Sequence, residues 1–315
     1  MKLLNYSRRM LLVIFSLVLF NSIYAQTDAD GVMMPKHNFC TGLMYNYSSW
    51  KNYWEGTNKR DNANLGTVST QALSIMGNYG VTRKLNFLFY VPYVKTKASA
   101  GQLHSMKGIQ DLSLWLKYVP VQLKAGPGSL TLYTLAGVTL PLSDYTPDFL
   151  PMSIGLHSKN VSLRGMADYQ VGNWFVTASG TYVIRSNIKL FRTSYYTTEM
   201  HYTDEVKMPD ASQFNVRLGY RTHRLIAEGL LSNWTTRGGF DITKNNMPFP
   251  SNKMNMTSVG VNIKYTVNNL ERLSLIGGGD RTLTGRNVGQ ATSFNAGLFY
   301  VLDFYNPQKK SSHDK

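Results

Sequence analysis

The sequence predicts an all-β protein, a single antiparallel transmembrane β-barrel of twelve strands behind a cleavable secretion signal. Three observations carry the prediction: a short leader of basic, apolar and small residues, a recurring period-two alternation of apolar side chains, and separators that alternate between tight turns and long polar stretches.

In the leader, Lys2, Arg8 and Arg9 precede an uninterrupted apolar run from Leu11 to Phe20, followed by Asn21, Ser22, Ile23, Tyr24 and Ala25. A basic segment, a short apolar segment and a small residue at the cut are the three parts of a signal peptide. The run is well short of the roughly 20 apolar residues that a spanning helix needs. Cleavage after Ala25 or Gln26 assigns 1–25 to the signal, 26–36 to a short N-terminal segment, 37–305 to the barrel and 306–315 to a polar tail. No later stretch is apolar for long enough to cross a bilayer as a helix, so further crossings fall to strands.

The first strand is expected at 37–50, before a long polar loop at 51–62 rich in Lys, Asn and Asp. The second, 65–79, turns tightly at 80–84 into the third, 85–94. A long separator, 95–108, leads to the fourth, 109–119, and a modest one around Gly126, Pro127 and Gly128 to the fifth, 130–140. After the long loop 141–160 come the sixth, 161–171, and seventh, 174–185, joined by Gly172-Asn173. The longest separator, 186–212, with room for an extra hairpin, precedes the eighth, 213–221. The turn 222–224 leads to the ninth, 225–236, and the loop 237–253 to the tenth, 254–266. A turn at 267–269 opens the eleventh, 270–283, and a loop with Gly285-Arg286-Asn287-Val288-Gly289 opens the twelfth, 291–304. An even count returns both ends to one side. Outer-membrane barrels have that parity, with short periplasmic turns and longer outer loops.

Within Phe214-Asn215-Val216-Arg217-Leu218-Gly219-Tyr220-Arg221, apolar residues alternate strictly with the others, and Phe294 to Phe304 repeats the pattern. Successive strand side chains point to opposite faces, so one whole row is offered to lipid. Closure follows, because an open edge in hydrocarbon leaves N–H and C=O groups unpaired. Asp111, Lys117, Arg164, Asp168, Arg185, Arg217, Arg221, Glu228, Lys264 and Asp303 are candidate lumen residues, pairing across the wall or lining a solute path. The fourth strand fits less well, since Trp115 shares a face with Asp111, Ser113 and Lys117. Aromatics near strand ends suggest two interfacial girdles. Tyr45, Tyr47, Trp50, Tyr53, Trp54 and Trp234 fall to the outer one; Tyr118, Trp174, Tyr220, Tyr265 and Tyr305 fall to the inner one.

With 43% hydrophobic and 16% charged residues the chain is neither disordered nor unusually apolar. Removal of Lys2, Arg8 and Arg9 with the leader lowers the formal charge from +15 to +12. The basic residues are scattered and the chain is secreted, which argues against nucleic acid and for lipid head groups, lipopolysaccharide or an anionic solute. Cys40 is the single cysteine, so no intrachain disulfide forms. His157 neighbours Ser158, and His201 lies near Glu199, Asp204 and Glu205, but neither has the rigid strand setting of a catalytic base. His37, His104, His223 and His313 show no metal-ligand spacing. No nucleotide, calcium or zinc-protease motif is present, and neither a cofactor nor an enzymatic activity is expected.

The stretch Asn78-Tyr79-Gly80-Val81-Thr82-Arg83-Lys84-Leu85-Asn86-Phe87, then Val91-Pro92-Tyr93-Val94 and Gly108-Ile109-Gln110-Asp111-Leu112, resembles the MetA-pathway phenol-degradation family of Gram-negative outer-membrane proteins, related to FadL-type hydrophobic-compound transporters. Gly137 to Tyr145 resembles the family segment in which a strand ends in Leu-Pro-x-Gly-Asp-Tyr, with Ser143 in place of Gly and Leu142 in place of Thr or Ser. Gly285-Arg286-Asn287 resembles its closing hairpin. The likeness spans 39–304 and rests on turns and strand ends. It implies an outer-membrane channel or transporter for passive uptake of small hydrophobic or aromatic compounds, inserted by the outer-membrane assembly machinery. FadL-type channels carry a plug of about 40 residues; 27–36 is too short for a plug of that kind. Many outer-membrane barrels end on an aromatic used in assembly, a part open here to Phe304 or Tyr305. Two other classes stand beside transport: a structural or adhesive barrel, and a lipid-modifying barrel enzyme. For a channel, Phe191, Arg192, Tyr195, Tyr196 and Tyr202 of the longest loop are candidates for an amphipathic constriction.

Overall fold

The computed structural model describes residues 27–244 and 247–304; the expected signal peptide and the polar tail lie outside them. Among the described residues, twelve long antiparallel strands close into a barrel. They are β1 (Asn38–Trp50), β2 (Val68–Gly80), β3 (Leu85–Ala98), β4 (Asp111–Ala125), β5 (Gly128–Pro141) and β6 (Asn160–Val171), then β7 (Trp174–Arg185), β8 (Ala211–Arg221), β9 (Leu225–Thr236), β10 (Asn255–Thr266), β11 (Leu273–Arg286) and β12 (Thr292–Asp303). Each pairs with its sequence neighbours. The ring is sealed by β1 against β12, from Asn38 opposite Asp303 to Ser49 opposite Thr292. This closure leaves no edge strand for hydrocarbon to face.

All twelve expected strands are present, and the corrections are at their ends. β3 runs on to Ala98, because Lys95 and Lys97 stay exposed on the outward face while Thr96 is buried and donates to the Met152 carbonyl at 2.6 Å. β4 continues to Ala125 through a bulge between Tyr118 and Val121 that accommodates Pro120, which has no ladder N–H to give. The separator 186–212 holds two short pairings, Ile188–Lys189 with Glu205–Val206 and Tyr195–Tyr196 with Met200–His201, both outside the barrel wall.

Tight turns lie at one end of the barrel, with the start of β1 and the end of β12; the long loops lie at the other. In outer-membrane barrels the short-turn end is periplasmic. At the hairpin between β6 and β7 this tightness needs Gly172, whose φ of 57° is open to glycine at little steric cost. Leu43, Ile75, Leu163, Leu218, Val261 and Leu298 are among the exposed side chains of the outward rows. No helix among the described residues is long and apolar enough to cross a membrane, which leaves the crossing to these strands. Around the short-turn end Tyr118, Trp174 and Tyr265 are exposed, and Trp174 meets Tyr220 edge-on at 5.3 Å. The outer girdle is thinner than expected. Trp54 is buried beneath Gly285 and Val288, and Trp234 faces inward with its partner Gln213, on the same side as Glu228.

That Trp54 contact belongs to a latch joining three outer loops. Asn287, at φ 52°, accepts from the Gly56 and Ile242 N–H groups and donates to Asp241 at 2.7 Å and to the Lys253 carbonyl at 2.6 Å. Arg286 grips both Asp241 oxygens, at 2.8 and 2.6 Å. The closing hairpin named in the sequence is therefore a hub, and the Arg286 guanidinium holds the Asp241 carboxyl below its ordinary range.

Candidate functional site: the lumen and its N-terminal plug

Inward positions divide the barrel interior into two unlike halves. On β1, β2, β11 and β12, Cys40, Met44, Phe299 and Val301 form an apolar cluster with Met76 and Ile276 against it. The wall from β4 to β9 is instead charged and aromatic. Trp115, the apparent misfit of the fourth strand, lies in this wall over the bare Cα of Gly137, with the Arg164 guanidinium 4.8 Å from its ring. Period-two geometry places Asp111, Ser113, Trp115 and Lys117 on one face, so Trp115 is an interior residue.

The segment before β1 enters from the short-turn end and lies against the charged wall. Lys117 is fully buried, and its Nζ donates to the carbonyls of Thr27, Asp30 and Val32 at 3.2, 2.6 and 2.8 Å and to Asp30 Oδ1 at 3.1 Å. Arg164 donates through Nη1 to the Asp28 carboxylate at 2.8 Å and its carbonyl at 3.0 Å, while Nε holds Thr181 at 2.7 Å. Tyr133 donates to the Gly31 carbonyl at 2.7 Å. A Cβ at Gly31 would stand 2.1 Å from Asp168 Oδ1, so the backbone approaches the wall as only glycine permits. Met34, with no exposed surface, completes the apolar cluster, and burying such a side chain is worth about 1.5–3 kcal/mol. Although far shorter than a FadL-type plug, this segment occupies the lumen. Its length matters less than the match between Asp28 and Asp30 and the basic wall opposite.

The remaining candidates of the charged wall pair with one another. Asp168 accepts from Arg221 Nη1 and Nη2, each at 3.1 Å, and from Thr177; Arg221 also lies 4.0 Å from the Phe175 ring. Arg217 donates to Glu228 at 2.7 Å. Lys264 is buried on the inward face of β10, and Asp303 is exposed at the end of β12, at the rim of the short-turn mouth. Asp111, near the long-loop mouth, accepts from the Tyr145 hydroxyl, which itself accepts from the His157 N–H at 3.0 Å. Burial and the Asp111 carboxylate together push the Tyr145 hydroxyl well above its ordinary range.

The candidate constriction residues separate. Phe191 and Tyr202 are 84% and 85% exposed. Tyr195 is buried in the loop's own core with Ile188, Leu190, Val206 and Met208, and stacks on His201 at 4.8 Å. Tyr196 is half-buried and donates to the Thr198 carbonyl. Arg192 ties the loop to its neighbours, donating to Asp148 at 2.6 Å and to the Met247 carbonyl at 3.2 Å. Composition marked these residues as amphipathic, but their orientation depends on tertiary packing. Asp28, Asp30, Gly31 and Met34 were missed, although two acids just before the first strand of a basic barrel were a usable signal.

Between the plug and the apolar half lies a cavity of about 320 Å³, bounded by Thr27 and Asp28 on one side and by Met76, Leu88, Trp115 and Phe299 on the other. A closed ladder, an apolar outward belt and a partly filled interior define a membrane-spanning β-barrel. No family model and no curated protein matches the sequence. Among solved structures, the chain is similar to the COG4313 outer membrane channel from Pseudomonas putida F1, with a TM-score of 0.70, 14% identity, and coverage of 89% of this chain and 100% of that one. It also matches the translocator domain of the autotransporter NalP from Neisseria meningitidis, at TM-score 0.46 and 8% identity over 85% of this chain and 88% of that one. The TodX deltaS2S3 mutant monoaromatic hydrocarbon channel follows at TM-score 0.43 and 10% identity, over 86% and 91%. The first likeness shows a shared barrel fold, the one the sequence resemblance implies.

Proposed function

We propose that this protein is an outer-membrane channel for passive uptake of small hydrophobic or aromatic compounds. The observation that carries the reading is the cavity of about 320 Å³ between the N-terminal segment and an apolar wall inside a closed barrel. Its size and mixed lining suit a small ligand held by apolar contact and oriented by a few polar groups. The shared fold with a solved outer membrane channel supports the same reading. A non-enzymatic role fits the histidines: the Ser158 hydroxyl donates to the Ser186 carbonyl at 2.7 Å, and His157 packs edge-on against Tyr145 at 4.9 Å.

The test is entry of a neutral naphthalene probe across an asymmetric bilayer whose outer leaflet is lipopolysaccharide. Entry should be faster with the protein than without it, and Leu88→Trp, which fills the cavity, should slow it. Equal rates with a folded barrel would reject transport and leave the structural or adhesive class.

A further inference from the structure

At the long-loop end a second cleft, of about 710 Å³, opens between the loop 186–210 and the loop that follows β9. Its floor is Arg185, the last residue of β7, whose side chain is 8% exposed. The guanidinium donates through Nε to the Pro209 carbonyl at 2.6 Å, but Nη2 is buried without a hydrogen-bond partner. A buried guanidinium nitrogen lacking an acceptor costs free energy, and a bound carboxylate would supply the acceptor and a compensating charge. Lys207 and Arg237 line the same cleft, against one carboxylate, Asp210. Asp210 is already engaged, accepting from the Arg185 N–H at 3.2 Å and from the Tyr182 hydroxyl at 2.9 Å. The remaining lining includes Phe240, which is half-buried and offers an apolar surface to a ring or chain.

We infer that this cleft is a docking site for amphipathic carboxylates, an aromatic or alkyl acid whose carboxylate meets Arg185 and whose apolar body rests on Phe240. The cleft's size falls within the range of small-molecule sites, and its basic charge beside an apolar surface selects an amphiphile over a simple anion. The site is separate from the lumen cavity. Its place on an uptake route rests on the channel reading, but docking itself does not require passage.

The experiment is a fluorescence titration of the detergent-solubilised mature barrel with 2-naphthoate and with 2-naphthalenemethanol, which keeps the ring and lacks the charge. A charge-assisted pairing at Arg185 predicts roughly ten- to hundredfold tighter binding of the naphthoate. Arg185→Gln should abolish that preference while the barrel keeps its heat-modifiable migration. Lys207→Gln with Arg237→Gln, both at exposed positions, should weaken it by a smaller factor and serves if Arg185→Gln does not fold. Equal binding of the two probes, or an unchanged preference in both variants, overturns the inference. Displacement of naphthoate by an equal concentration of inorganic phosphate would mark a plain anion site and overturn it too. Flux of the neutral naphthalene probe, measured on the same samples, reads the channel proposal separately: docking with no flux rejects transport alone, and flux with no docking rejects this site alone.

Discussion

Replacing Lys117 with Met should release the N-terminal segment from the lumen. The two side chains are similar in length, so the change removes the charge and its donors with little loss of volume. In the native arrangement one buried ammonium serves three carbonyls and the Asp30 carboxylate at 2.6–3.2 Å. Removing one partner of a buried ion pair costs about 3–5 kcal/mol, because the other charge is left uncompensated. At 1.4 kcal/mol per tenfold, docking of the segment weakens by roughly two to nearly four orders of magnitude. Arg164 with Asp28 and the burial of Met34 continue to hold the two ends, so the middle of the segment should leave the wall first. The assay is single-channel conductance in planar bilayers, paired with protease access to residues 27–36 from the periplasmic side. Lys117→Met should raise open probability and expose the segment, and adding Asp30→Asn should reverse part of the effect by removing the stranded charge. Unchanged conductance and protection in a folded Lys117→Met barrel would refute the claim that this lysine holds the plug.

Three further outcomes follow. Arg221→Met strands Asp168 beside Thr177 and should cost the barrel about 3–5 kcal/mol, read as earlier unfolding on heating; an unchanged transition would deny that the pair stabilises the wall. The loop latch should weaken in acid: since Arg286 holds the Asp241 carboxyl below its ordinary 3.8, the latch's contribution is complete above that value and lost as pH falls through the lower native one. Asn287→Ala should reproduce this loosening at neutral pH, seen as faster amide exchange around Gly56 and Ile242; exchange indifferent to both would remove the latch. Replacing 193–202 with a short glycine linker should leave the barrel folded and neutral-probe flux unchanged, because the segment's strand pairing and its contacts with the rest of the loop lie outside the barrel ladder; altered flux would support the constriction expectation.

The barrel was legible because its signals are local. Alternation at Phe214 to Arg221 and tight turns such as Gly172-Asn173 fix face and register within a few residues, and β7 and β9 have the expected bounds. The interior was legible as a class of residue, since charge on an inward row is excluded from lipid. Which charges meet was not. Arg217 with Glu228 and Arg221 with Asp168 join different strands, and Lys117 is bound by a segment 85–90 positions away in sequence. The loop tyrosines were not distinguishable for a related reason: Tyr195 and Tyr202 have the same composition signal, yet packing with Ile188, Leu190, Val206 and Met208 buries one while the other stays in solvent.

The asymmetry of the interior bears on how an apolar solute crosses. A uniformly charged lumen holds ordered water that such a solute must displace, whereas a uniformly apolar one retains it. Here the charges of the wall are already paired, Arg164 and Lys117 with the plug, Arg221 with Asp168 and Arg217 with Glu228, so few ionic groups are left to be stripped of water. On the channel reading proposed above, the solute meets Met76, Leu88 and Phe299 on one side and the Thr27–Asp28 end of the plug on the other. Movement of that plug frees Arg164 and Lys117 together, and their exposed charge favours its return. A segment that left the wall would be drawn back by the same set of bonds that Lys117→Met removes.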